Sequence, residues 1–214
     1  MTTTASRWVT AAATALATLL ALATPAQAHL IGTRLGDFYA GALHPATDND
    51  DVVLWLALGL LAGSLGAQRG RWLVILFPLG LGVGFFLAAT GEFSVGGAAT
   101  NAAMIGALGL LLAAGLRLSA PLLALGGFAL AVMRGMANAS GTEGATNVPL
   151  FAAGLVCAGY ATITLVMALV IAFRKAEAGQ ATAWRGIALR AFGGWIAAIG
   201  LMMIGFTLAG SGNA

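Results

Sequence analysis

The densest group of chemically able side chains lies at residues 44–51, His44-Pro45-Ala46-Thr47-Asp48-Asn49-Asp50-Asp51, directly ahead of a long apolar run. One imidazole and three carboxylates in eight residues offer nitrogen and oxygen donors together, the set that suits a divalent first-row metal. Pro45 disfavours helix at His44 and predicts a turn there, from which Asp50 and Asp51 lead into the next element. A plainer reading has Asp48 or Asp50 cap that element, since carboxylates satisfy free amides at a helix start and complement its dipole. The spacing leaves both readings open. The second candidate is Arg134, a permanent cation in an apolar run. An ionisable group in such a run is functional by default and calls for a counter-charge, with Asp50, Asp51 or Glu143 available. Alternatively, its aliphatic stem carries the guanidinium out to lipid headgroups.

The elements that must position these groups follow from composition. The chain of 214 residues is 60% hydrophobic and 8% charged, against about 25% charged in soluble domains, so its main solvent is lipid. Apolar runs at roughly 52–67, 72–90, 96–116, 118–137, 148–173 and 187–209 predict a bundle of about six transmembrane helices, because helices satisfy their own backbone polar groups where there is no water. Glycine pairs at four-residue spacing, Gly59/Gly63 and Gly80/Gly84, predict close helix contacts. Pro78 and Pro121 fall within or near helix starts, where a membrane helix tolerates them. Cys157, the single cysteine, reads as a small buried hydrophobe that cannot form an internal disulfide.

Residues 1–28 have the form of a cleavable secretory signal: Arg7, an apolar stretch from about Val9 to Ala23, then Ala26-Gln27-Ala28. Cleavage after Ala28 starts the mature chain at His29, whose amine and imidazole could join a metal site. The expected layout is a signal at 1–28, an extracytoplasmic segment at 29–51, a six-helix membrane domain at 52–210 and a tail at 211–214. With the mature amino terminus outside the cytoplasmic membrane, the first, third and fifth connections are cytoplasmic and should be basic. They hold Arg69, Arg71, Arg117, Arg174, Lys175, Arg185 and Arg190, while Asp37, Asp48, Asp50, Asp51, Glu92 and Glu143 fall outside. Trp55, Trp72 and Trp184 sit where interfacial anchors are expected.

The net charge of +3 comes from scattered basic residues and does not mark a nucleic-acid surface. There is no phosphate-binding glycine loop, cysteine pair or Ser/His/Asp set, so neither nucleotide hydrolysis nor another enzymatic role is expected.

The chain resembles the HupE/UreJ group of hydrogenase and urease accessory membrane proteins over nearly the whole mature length. Ala28-His29 matches the group's signal-end histidine, and His44, Pro45 and Asp50 match a motif that closes on a histidine where this chain has Asp51. The group's second motif, Phe-His-Gly-x-Ala-His-Gly-x-Glu, aligns with Met133 to Gly141. Gly135 and Ala137 are kept; Arg134 and Asn138 replace its two histidines, and Glu143 lies two residues past the glutamate position. The resemblance implies a permease for a divalent metal of the nickel or cobalt class, carried as cargo with no permanent cofactor. Its outer vestibule would comprise His29, His44, Asp48, Asp50 and Asp51, with Glu143 a possible addition. Arginine has no lone pair to give a metal. The alternative is therefore a membrane accessory subunit, associated with a partner subunit, in which Arg134 replaces the ion by an internal salt bridge.

Overall fold

The computed structural model describes residues 36–89, 91, 97–142, 147–175 and 184–211. The signal segment, His29 and Glu143 lie outside the described residues. Among the described residues seven helices follow one another: α1 (Asp37–Thr47), α2 (Asn49–Leu65), α3 (Ala67–Ala89), α4 (Ala98–Ala114), α5 (Ala120–Asn138), α6 (Val148–Lys175) and α7 (Trp184–Ser211), with a 3-10 turn at Ala139–Thr142 after α5. No strand occurs among the described residues.

A helix covers most of the described part of each predicted apolar run. By length and composition four helices can cross a bilayer: α3, α5, α6 and the 184–209 stretch of α7, which makes this a membrane protein. Helices α2 and α4 have 17 residues each, about 25 Å at 1.5 Å per residue against a hydrocarbon core of about 30 Å.

Helix α2 is the hub, in contact with every other helix. Leu54, Trp55, Ala57, Leu58, Leu61 and Ala62 are all buried on it, because neighbours close around it on several sides. This overturns the interfacial role expected for Trp55, which is buried with its ring edge against Phe77, centroids 5.5 Å apart. Trp72 and Trp184 are half exposed. Cys157 is exposed rather than buried: it lies on α6, and the buried positions of that helix, such as Leu155, Gly159 and Ile163, point elsewhere around its axis.

Two pairs of helices pack most closely, α3 with α5 and α4 with α7. A Cβ added at Gly84 would run into the carbonyl of Val132, and one at Gly80 into Phe128 and Ala131, so these glycines permit backbone contact between α3 and α5. In the other pair Gly109 and Gly200 face the backbone of Ala197 and Gly106. Gly59 and Gly63 receive Val166 and Val170 of α6. Helix α4 ends in a Schellman arrangement at Gly115, φ 65°, with the Gly115 N–H donating to Leu112 O at 3.1 Å and the Leu116 N–H to Leu111 O at 3.3 Å.

Helix α1 corrects the turn expected at His44. Both His44 and Pro45 lie inside it. Proline disfavours but does not forbid helix before it, and here packing decides: Gly41 meets the Phe151 backbone and Gly154 meets the Phe38 backbone, seating α1 on α6. The helix stops at Thr47, where Asp48 turns extended and its N–H donates to Pro45 O at 3.3 Å.

Candidate functional site

The α1–α2 junction, the start of α4 and the end of α5 bring their polar residues together at one end of the bundle. Asp48 is extended between α1 and α2 and accepts the Asp50 N–H on Oδ1 at 2.9 Å, so it is the N-cap of α2. Its other oxygen, Oδ2, accepts from an Arg134 terminal nitrogen at 2.6 Å. The capping reading of this carboxylate is correct, and its ion pair with Arg134 is one the sequence did not suggest, the expected partners being Asp50, Asp51 and Glu143.

Arg134 sits one turn before the end of α5 and is 1% exposed. Its Nε donates to Asp51 Oδ1 at 2.6 Å, and Asp51 is completely buried. The guanidinium thus spans two carboxylates from the first turn of α2 and its boundary, using the fixed fork that distinguishes arginine from lysine. It does not reach out to headgroups. Asn138, one turn further along α5, donates through Nδ2 to Asp51 Oδ2 at 2.7 Å and to the Arg134 carbonyl at 2.8 Å. Both oxygens of Asp51 are engaged by α5.

Asp50, expected as a possible partner of Arg134, instead accepts from Asn101 Nδ2 of α4 at 2.7 Å. Successive residues of a helix point about 100° apart, so Asp50 and Asp51 face different neighbours. Sequence reasoning missed Asn101; the signal was a carboxamide at the acidic end of the otherwise apolar run at 96–116. His44 is half-buried, its ring 5.6 Å from that of Phe151 and tilted by 58°. Among the described residues, no group of three or more His, Cys, Asp or Glu side chains is placed to hold a metal ion.

The opposite end carries cations on helix carbonyls. Arg174 donates to the Ser64 carbonyl near the end of α2. Arg190 Nε donates to Ala113 O of α4 at 2.8 Å, and Arg185 to Phe173 O of α6 at 2.6 Å. Each guanidinium meets unsatisfied carbonyls where the helix dipole favours positive charge.

The buried carboxylate–guanidinium–carboxamide group on a helical membrane scaffold can be set against known proteins. The model of the family described as "HupE / UreJ protein" matches residues 16–203. The chain belongs to the HupE/UreJ family. No curated protein and no solved structure matches it. Within this HupE/UreJ protein, both positions at which the expected second motif has histidine, 134 and 138, bind Asp51.

Proposed function

We propose that this HupE/UreJ protein is a multi-pass inner-membrane accessory component without enzymatic activity, in which Arg134 fills by an internal salt bridge the place that its resemblance gives to a divalent metal ion. The mature amino terminus and the acidic end face outward, and the arginine-capped end faces the cytoplasm, in keeping with the distribution of basic residues. Six helices cross the membrane in this reading, with α2 and α4 spanning it within the bundle.

One observation carries the reading: the Arg134 guanidinium is buried between Asp51 and Asp48 at 2.6 Å from each. A cation already occupies the carboxylates, and it is covalently part of the chain. A divalent ion entering there would meet a fixed positive charge, and the guanidinium offers it no lone pair. The second reading, a nickel or cobalt permease, draws support from family membership and from the Asp48 side chain, 39% exposed, through which an arriving ion could compete with the guanidinium.

Nickel and cobalt uptake by cells expressing the chain separates the two, with the amount of protein in the membrane fraction held equal. The accessory reading expects no accumulation by the native chain and gain of metal binding on Arg134→His. Accumulation by the native chain, abolished by His44→Ala or Asp50→Ala, would establish the permease instead.

A further inference from the structure

The helices divide into two bodies of unequal attachment. Helices α1, α2, α3, α5 and α6 are cross-braced: α6 packs on α1, α2 and α3, and α5 lies along α3. Helices α4 and α7 form a closely packed pair, with glycine against backbone at Gly109, Gly193 and Gly200, and they meet the rest mainly through α2.

Polar and aromatic ties between the two bodies differ at their two ends. At the basic end Arg185 of α7 donates to Phe173 O and lies 5.0 Å from the Phe173 ring centroid, while Trp184 sets its ring edge-on to Phe173 at 5.6 Å. A hydrogen bond, a cation–π contact and an aromatic pair converge there. At the acidic end, among the described residues, Asn101 Nδ2 of α4 donates to Asp50 Oδ2 of α2 in a partly buried hydrogen bond. Between the ends, Leu54, Leu58 and Leu61 of α2 share one apolar cluster with Ile105, Leu108, Leu112 and Ile196 of the pair. Apolar surface of this kind allows small sliding without leaving polar groups unsatisfied.

We propose that α4 and α7 move as one body, pivoting at Arg185–Phe173–Trp184, and that Asn101–Asp50 is the latch holding the acidic end shut. Asn101 is thereby a positioning residue: it keeps Asp50 turned toward α4 while Arg134 holds Asp48 and Asp51. Release of the latch opens the seam between α2 and α4 beside the ion-pair group. This movement does not depend on whether the protein carries a metal.

The test uses the full chain with Cys157→Ser, reconstituted in lipid, and distances between paired spin labels. An acidic-end pair sits on the exposed positions Ala46→Cys and Ala99→Cys, and a basic-end pair on the exposed positions Gln68→Cys and Ala114→Cys. Asn101→Leu removes the latch donor, and Asn101→Asp faces Asp50 with a like charge. In both variants the acidic-end pair should gain a longer-distance population, up about tenfold for the loss of one charge-assisted hydrogen bond, while the basic-end distances stay fixed. Unchanged acidic-end distances in both variants, or equal lengthening at both ends, would overturn the proposal.

Discussion

Asp51→Ala is expected to destabilise the protein by about 3 kcal/mol, the scale for leaving a buried ion without its partner. The substitution strands Arg134, 1% exposed, and removes the acceptor of one Asn138 hydrogen bond. Asp48 keeps its contact with the guanidinium, but its side chain is 39% exposed and solvent weakens that attraction. Arg134→Ala should be comparably damaging, since it leaves the Asp51 carboxylate in a dry interior. Arg134→Lys should recover only part of the loss, because an ammonium cannot reproduce the fork that spans two carboxylates. The double change Asp51→Leu with Arg134→Leu should be far milder than either charge-stranding single change, as apolar replacement of buried pairs generally is. Reversible unfolding in mixed detergent micelles, arranged as a double-mutant cycle, measures this. Single variants as stable as the native chain would show that the pair is not buried as described.

The second large effect is steric. In Gly84→Ala the new methyl would land on the Val132 carbonyl, a backbone atom that cannot step aside by rotating a side chain. Helices α3 and α5 would have to separate along their most intimate contact, at a cost of about 3 kcal/mol, the upper range for overpacking. Gly82→Ala, half a turn away, is the control: its methyl would lie 3.5 Å from Val156 Cγ2, an ordinary van der Waals distance. That change should stay within about 1 kcal/mol of the native stability, with improved helix propensity on its side. The same unfolding measurement ranks the two, and equal stabilities would contradict the close approach of α3 and α5.

Much of this was legible in the residues. Long apolar runs with few charges compel helices in lipid, since no other open structure satisfies its backbone there, and a helix covers most of the described part of each predicted run. Glycines at four-residue spacing share one helix face, so Gly59/Gly63 and Gly80/Gly84 could be read as contact points before their partners were known. Arg134 announced itself too, because a permanent cation in an apolar run requires a counter-charge.

Other features depend on which helix stands beside which, and no local rule supplies that. The tilt of Pro45 against helix at His44 is weaker than the packing of α1 on α6, so a helix forms through both residues. Trp55 is near a helix end, as an anchor would be, but α2 is enclosed and the ring is buried. Cys157 has an apolar neighbourhood in sequence, yet its angle on α6 turns it outward. Asp50 and Asp51 are adjacent and chemically identical, and only the placement of α4 and α5 around α2 assigns one to Asn101 and the other to Arg134. The sequence by itself determined the solvent, the helices of the long apolar runs and the presence of a buried charge needing a partner, since these are consequences of composition and local spacing. The tertiary structure alone decided the partners, because a hydrogen-bonded contact closes only at about 3 Å and such distances are set by helices far apart along the chain.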